Sequence, residues 1–184
     1  MRQLNIPAVI IAFFIALGLM ISGKYLYEKY FLKESLENKI SKVIEVRELK
    51  IDNTEQPPTV YLRTAQIEDL QAVYKRVDKI VKQELGPGYR IVFLDKRTPK
   101  LTEVYEESQF AIQEAIATGC FRQMYSSVQS IAQSNNVKYR LTIDSSNIYL
   151  QLHDENGYLY EVIQRSSELA ADEKASPQGG VNFD

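Results

Sequence analysis

From Gln3 to Gly23 the chain runs for 21 residues without a charged side chain, and Ile6 to Ile21 is almost wholly aliphatic or aromatic. Coiled as a helix at about 1.5 Å per residue, such a run reaches roughly 31 Å, against about 30 Å for the hydrocarbon layer of a bilayer. A helix that is apolar on every side must be surrounded by apolar material. A chain of 184 residues cannot supply that from its own core. Residues 1–23 therefore read as a transmembrane anchor. The rival reading is a cleavable signal peptide. Met20-Ile21-Ser22-Gly23 lacks the small-x-small pattern, with Ile21 at the upstream small position, and Ala16-Leu17-Gly18 offers only a weaker early site, so the uncleaved anchor is preferred.

Immediately after the run come Lys24, Tyr25, Tyr27, Lys29, Tyr30 and Phe31. Amphipathic aromatics interleaved with lysines next to a span have the composition of a membrane–water interface belt. Leu32, Leu36, Ile40 and Val43 then recur at helical spacing, which predicts a juxtamembrane helical stalk over residues 24–42. Only Arg2 precedes the span, whereas Lys24, Lys29, Lys33, Lys39 and Lys42 follow it. A literal positive-inside count would leave the C-terminal part in the cytoplasm, but large domains translocate with little regard to charge. The expectation is a single-pass cell-membrane protein with its domain on the extracytoplasmic side, touching the lipid bilayer through the N-terminal helix.

Residues 43–165 predict one α+β domain of order β-β-α-β-α-β-β-β, with a mixed sheet covered by two helices. Residues 43–52 read as a strand with a mid-run irregularity, because the apolar parity changes between Val46 and Leu49. Residues 59–64 follow after a proline turn. Thr64 stands as the N-cap of an amphipathic helix of about twenty residues that stops at Gly86-Pro87-Gly88. The continuous Ile91-Val92-Phe93-Leu94 predicts a central strand buried on both faces. A long helix runs from Lys100 to about Ser134, with Thr118-Gly119-Cys120 as a kink or a break. Residues 138–144, 147–153 and 157–165 form an antiparallel meander, with Asn156-Gly157 marking one tight turn. Residues 166–184, with four acids, one lysine and Pro177-Gln178-Gly179-Gly180, are expected to be a disordered acidic tail.

Few chemistries remain open to such a composition. The chain has one Cys, Cys120, and one His, His153. Cys120 lies on an apolar helix stripe, where a buried small hydrophobe is the ordinary role. His153 ends a strand beside Asp154 and Glu155, but neighbours on a strand point to opposite faces and no second His or Cys completes a metal shell. Glu103, Glu106, Glu107 and Glu114 read as a solvated helix face, and the segments at Asp144 and Asp154 as turns without calcium-loop spacing. Residues 43–165 carry 15 basic and 17 acidic side chains, which supplies no field for phosphate, so no nucleic acid is expected.

No cofactor, metal or catalytic residue is assigned on these grounds. The function expected is a membrane-anchored, non-enzymatic interaction or assembly module of a bacterial-type envelope protein, with a protein partner or self-association. Tyr149, Tyr158 and Tyr160 of the meander are its expected partner surface. The alternative is a membrane-tethered small-ligand sensor with a pocket between helices and sheet, near Thr118-Gly119 or the polar turns.

Overall fold

The structure is a computed structural model and describes residues 32–165 together with 13, 15–18 and 20. Among the described residues no helix is long and apolar enough to cross a membrane. Most of the apolar run, the expected interface belt of Lys24, Tyr25, Tyr27, Lys29, Tyr30 and Phe31, and the tail at 166–184 lie outside the described residues.

The elements are α1 (Leu32–Ile40), β1 (Val46–Asp52), β2 (Thr59–Thr64), α2 (Leu70–Leu85), β3 (Arg90–Leu94), α3 (Pro99–Thr118), α4 (Phe121–Ser134), β4 (Lys138–Ile143), β5 (Asn147–His153) and β6 (Tyr158–Gln164). The α+β class agrees with the sequence reading, and so does the order of elements after residue 43, except that the one long helix expected before the meander is two, α3 and α4. The single mixed sheet does not agree. There are two three-stranded sheets, β1-β2-β3 and β4-β5-β6. They belong to two compact units, one made of the described residues up to Ala65 with Val73–Val92, the other of Gln66–Ala72 with the described residues from Phe93 onward.

In the first unit the sheet is mixed and β2 is central, paired antiparallel with β1 in a register that matches Leu49 with Leu62. The register shifts between Val46 and Glu48, the bulge that the change of parity predicts. Leu36, Ile40, Leu49, Val60, Leu62, Val77, Val81 and Ile91 are buried. The segment read as a stalk is thus partly core: α1 buries Leu36 and Ile40. Its Ser35 Oγ and Lys39 Nζ both donate to the carboxylate of Glu84 on α2. The strand β3 is an edge strand rather than the central one, with Ile91 and Phe93 buried and Val92 and Leu94 half-buried. Four apolar residues in a row gave no means of distinguishing a strand buried on both faces from one half covered on its second face.

In the second unit α3 and α4 cover one face of β4-β5-β6. Leu101, Val104, Ile112, Ala115, Met124 and Val128 pack with Ile148, Leu150, Leu152 and Leu159. Thr98 caps α3 by accepting from Leu101 N–H, with Pro99 at its first turn. The long helix is broken where Gly119 adopts the left-handed conformation, φ 77°, and closes α3 by donating to Ala115 O. This break brings Cys120 to the surface, against the expectation of a buried thiol.

Thr64 is not a helix cap. It is the last residue of β2, paired with Val46, and the helix starts only at Leu70, where Asp69 Oδ1 accepts from Ala72 N–H. The five residues between are held out of helical form by hydrogen bonds from β5 and β6 to Ile67 and Leu70, described below.

Candidate functional site

The register of the meander sorts its side chains into two faces. Ile148, Leu150 and Leu152 of β5 point into the helical core, so Tyr149, Gln151 and His153 point the other way. Pairing places Lys138 opposite His153 and Arg140 opposite Gln151 on β4, and Tyr160 opposite Gln151 and Tyr158 opposite His153 on β6. The face turned away from α3 and α4 is therefore polar and aromatic, which would be costly if it were left buried without partners.

A strap formed by Gln66–Ala72 supplies those partners. Gln151 is 3% exposed, and its carboxamide bridges the strap backbone, Oε1 accepting from Leu70 N–H at 2.9 Å and Nε2 donating to Ile67 O at 2.9 Å. The hydroxyl of Tyr160 accepts from Ile67 N–H at 2.8 Å, and burial pushes its pKa up to about 12. Ile67 and Leu70 are themselves buried, so the strap adds apolar cover to the polar anchoring. At its rim Arg140 is paired with Asp69 at 2.7 Å, and Gln66 Nε2 meets His153 Nδ1 at 3.1 Å.

Beside the strap opens a cleft of about 680 Å³, lined by Gln66–Glu68, Gln133, residues 136–140, Gln151 and residues 153–155. His153 forms part of its wall, with its ring edge-on to Tyr160 at 5.8 Å. Burial, reinforced by the nearby Lys138 ammonium, lowers the imidazole pKa, so the neutral ring is favoured. A neutral ring with Nδ1 accepting from Gln66 carries its proton on Nε2. Arg140 is neutralised by Asp69, whereas Lys138 has no carboxylate partner among the described residues. Glu68, Asp154 and Glu155 supply acceptors. Among the described residues no group of three or more His, Cys, Asp or Glu could hold a metal ion.

The sequence-named residues fall in different places. Tyr149 is 1% exposed, with its hydroxyl bonded to Asp144 Oδ2, and Tyr160 is 5% exposed beneath the strap. As a correction to the expected partner surface, neither buried ring has a face left for a partner; Tyr158 alone of the three is half-buried, its ring 5.0 Å from that of Tyr160. Cys120 and His153 line separate clefts, so the single thiol and the single imidazole are not brought together. Glu103, Glu106, Glu107 and Glu114 are exposed. Asp144 and Asp154 each accept from the backbone N–H groups two and three residues on, which makes both segments aspartate-closed turns. Near Thr118-Gly119 a cleft of only about 10 Å³ lies beside Cys120, and the 680 Å³ cleft, though next to the polar turn at Asp154, lies beside the strap on the Gln151–His153 face of the sheet and not between the covering helices and the sheet as expected.

The two edges of the β4-β5-β6 sheet differ. Along β6, Lys96 exchanges both backbone hydrogen bonds with Tyr158, and Asp95 Oδ2 accepts from Tyr160 N–H. These contacts occupy positions at which another strand would pair. Along β4 the outward backbone groups have no partner among the described residues. The chain matches no protein-family model, no curated protein and no solved structure.

Proposed function

We propose that this chain is a membrane-tethered, non-enzymatic interaction module, with the role of an accessory or assembly subunit of a bacterial-type envelope complex. The observation that carries the reading is the charge-free run from Gln3 to Gly23, long enough to span a bilayer and followed at once by lysines and tyrosines. The interaction role draws support from the uncovered β4 edge, which offers backbone donors and acceptors to an added strand. Separation of Cys120 from His153, and the engagement of His153 Nδ1 by Gln66, weigh against nucleophilic catalysis by that pair. Two measurements test the proposal. Carbonate washing of membranes should leave the full chain in the pellet, and proximity labelling from its C-terminus should recover one consistent membrane partner. Release by carbonate overturns the tether; a strictly monomeric chain without a partner overturns the interaction role.

A small-ligand sensor is the second reading, favoured by the 680 Å³ cleft beside His153, a volume in the range of ligand sites. Screening metabolites by thermal shift on the full chain in detergent separates the two, because saturating ligand raises the melting temperature.

A further inference from the structure

The charges of α2 are segregated by face. Its acidic residues within the first unit are both engaged: Asp78 accepts from the Tyr89 hydroxyl at 2.8 Å, and Glu84 holds Ser35 and Lys39 of α1. Its bases all lie on the solvent side. Lys75, Arg76, Lys79 and Lys82 are exposed and, with Gln83, fall within about a third of the helix circumference at 100° per residue. That arc contains four bases and no acid. The position of the arc along the chain gives it a target. Eight residues, 24–31, separate the apolar run from α1, an extended reach of at most about 28 Å. The clamp on Glu84 then fixes α1 to the end of α2, and the bases lie within about 14 Å of helix from that clamp.

We infer that the Lys75–Lys82 face of α2 docks on anionic lipid headgroups of the membrane in which the chain is anchored. The inference rests on the tethered reading given above. Tethering makes the docking intramolecular, so a face of four bases suffices where a free protein would need a stronger site. Each basic residue near an anionic surface is worth about fivefold in partitioning. A bilayer without anionic lipid offers this face nothing.

The test uses the full chain with Cys120→Ser and an environment-sensitive label on Gln83→Cys, reconstituted into phosphatidylcholine vesicles with or without 30% phosphatidylglycerol. Flotation and carbonate resistance in both compositions establish the tether separately. For a chain that floats, the expected result is a severalfold loss of quenching of the label by an aqueous collisional quencher in anionic vesicles only, reversed by 0.5 M salt. Lys79→Glu with Lys82→Glu should weaken docking at least about 25-fold and restore quenching, while the far-ultraviolet circular dichroism is unchanged because both side chains are exposed. Equal quenching in the two compositions overturns the inference. Protection that is the same in neutral vesicles and rises with protein density also overturns it, and assigns the face instead to the acidic α3 surface of a second copy. A chain that does not float overturns the tether and the docking together.

Discussion

The Cα of Gly157 lies against the backbone carbonyl of Lys96 so closely that a Cβ at position 157 would stand 2.1 Å from that oxygen. The same approach allows Lys96 and Tyr158 to exchange two backbone hydrogen bonds that cover the Tyr158 end of β6. Gly157→Ala must push the backbone of Lys96 away and break this bridge. A loss of about 3 kcal/mol is expected, read as a fall in the urea midpoint. An unchanged midpoint would show that the 95–98 segment moves without cost.

Gln151 serves as a substitute for backbone on the strap. Gln151→Leu preserves the volume but leaves Ile67 O and Leu70 N–H buried without that partner, for an expected loss of about 3 kcal/mol. Hydrogen exchange should localise the damage, with residues 67–72 losing protection before the meander does. Uniform loss across both units would contradict a local role.

His153 gives acid sensitivity a definite sign. Its folded pKa is lowered by burial and by Lys138, so between 6.5 and that lower value the unfolded chain holds a proton that the folded chain refuses. Stability should therefore fall as pH drops from about 6.5, and level off for this group once the folded pKa is passed. Asp154, held below the usual range chiefly by the Thr98 hydroxyl, contributes in a separate window: its stabilisation is present above 3.8 and is lost as pH falls through the folded value. His153→Gln should flatten the first window and leave the second. Following the imidazole C2 proton by NMR gives the direct check, with a midpoint below 6.5.

The α1 helix should behave as part of the folded unit. Removal of residues 1–31 is expected to leave thermal stability near that of the full chain, whereas Leu36→Ala should cost about 3 kcal/mol because Leu36 is fully buried. Glu84→Ala removes the acceptor shared by Ser35 and Lys39 and should cost only about 1 kcal/mol, since the Lys39 end is exposed. A neutral Leu36→Ala would return α1 to the status of a free stalk.

Much of the chain's organisation was legible locally. The two Asp-closed turns, the bulge in β1 and the break at Gly119 each follow from a few adjacent residues whose conformational preferences act on their own backbone. What was not legible depends on distant partners. Periodicity identified β4, β5 and β6 as strands, but the division into two sheets is decided by pairing between segments far apart in sequence. Tyr149 illustrates the same limit. All of Ile148–Leu152 is buried, so alternation with apolar neighbours does not distinguish a surface ring from one beneath a second layer. Over Gln151 and Tyr160 such a layer is the strap, and its signal was Gln151, a lone amide amid apolar residues in a strand, which requires a polar partner from elsewhere in the fold.

The blocked Tyr158 end of β6 together with an uncovered β4 has a consequence for how copies of this chain can add to one another. Two copies meeting through β4 would form a single six-stranded sheet whose two outer edges are both β6, each obstructed at its Tyr158 end by Asp95 and Lys96. Further strand pairing would have to displace that segment or use only the far half of β6. Where copies are crowded into a plane, such an inequality of edges favours a defined pair over an open-ended fibre.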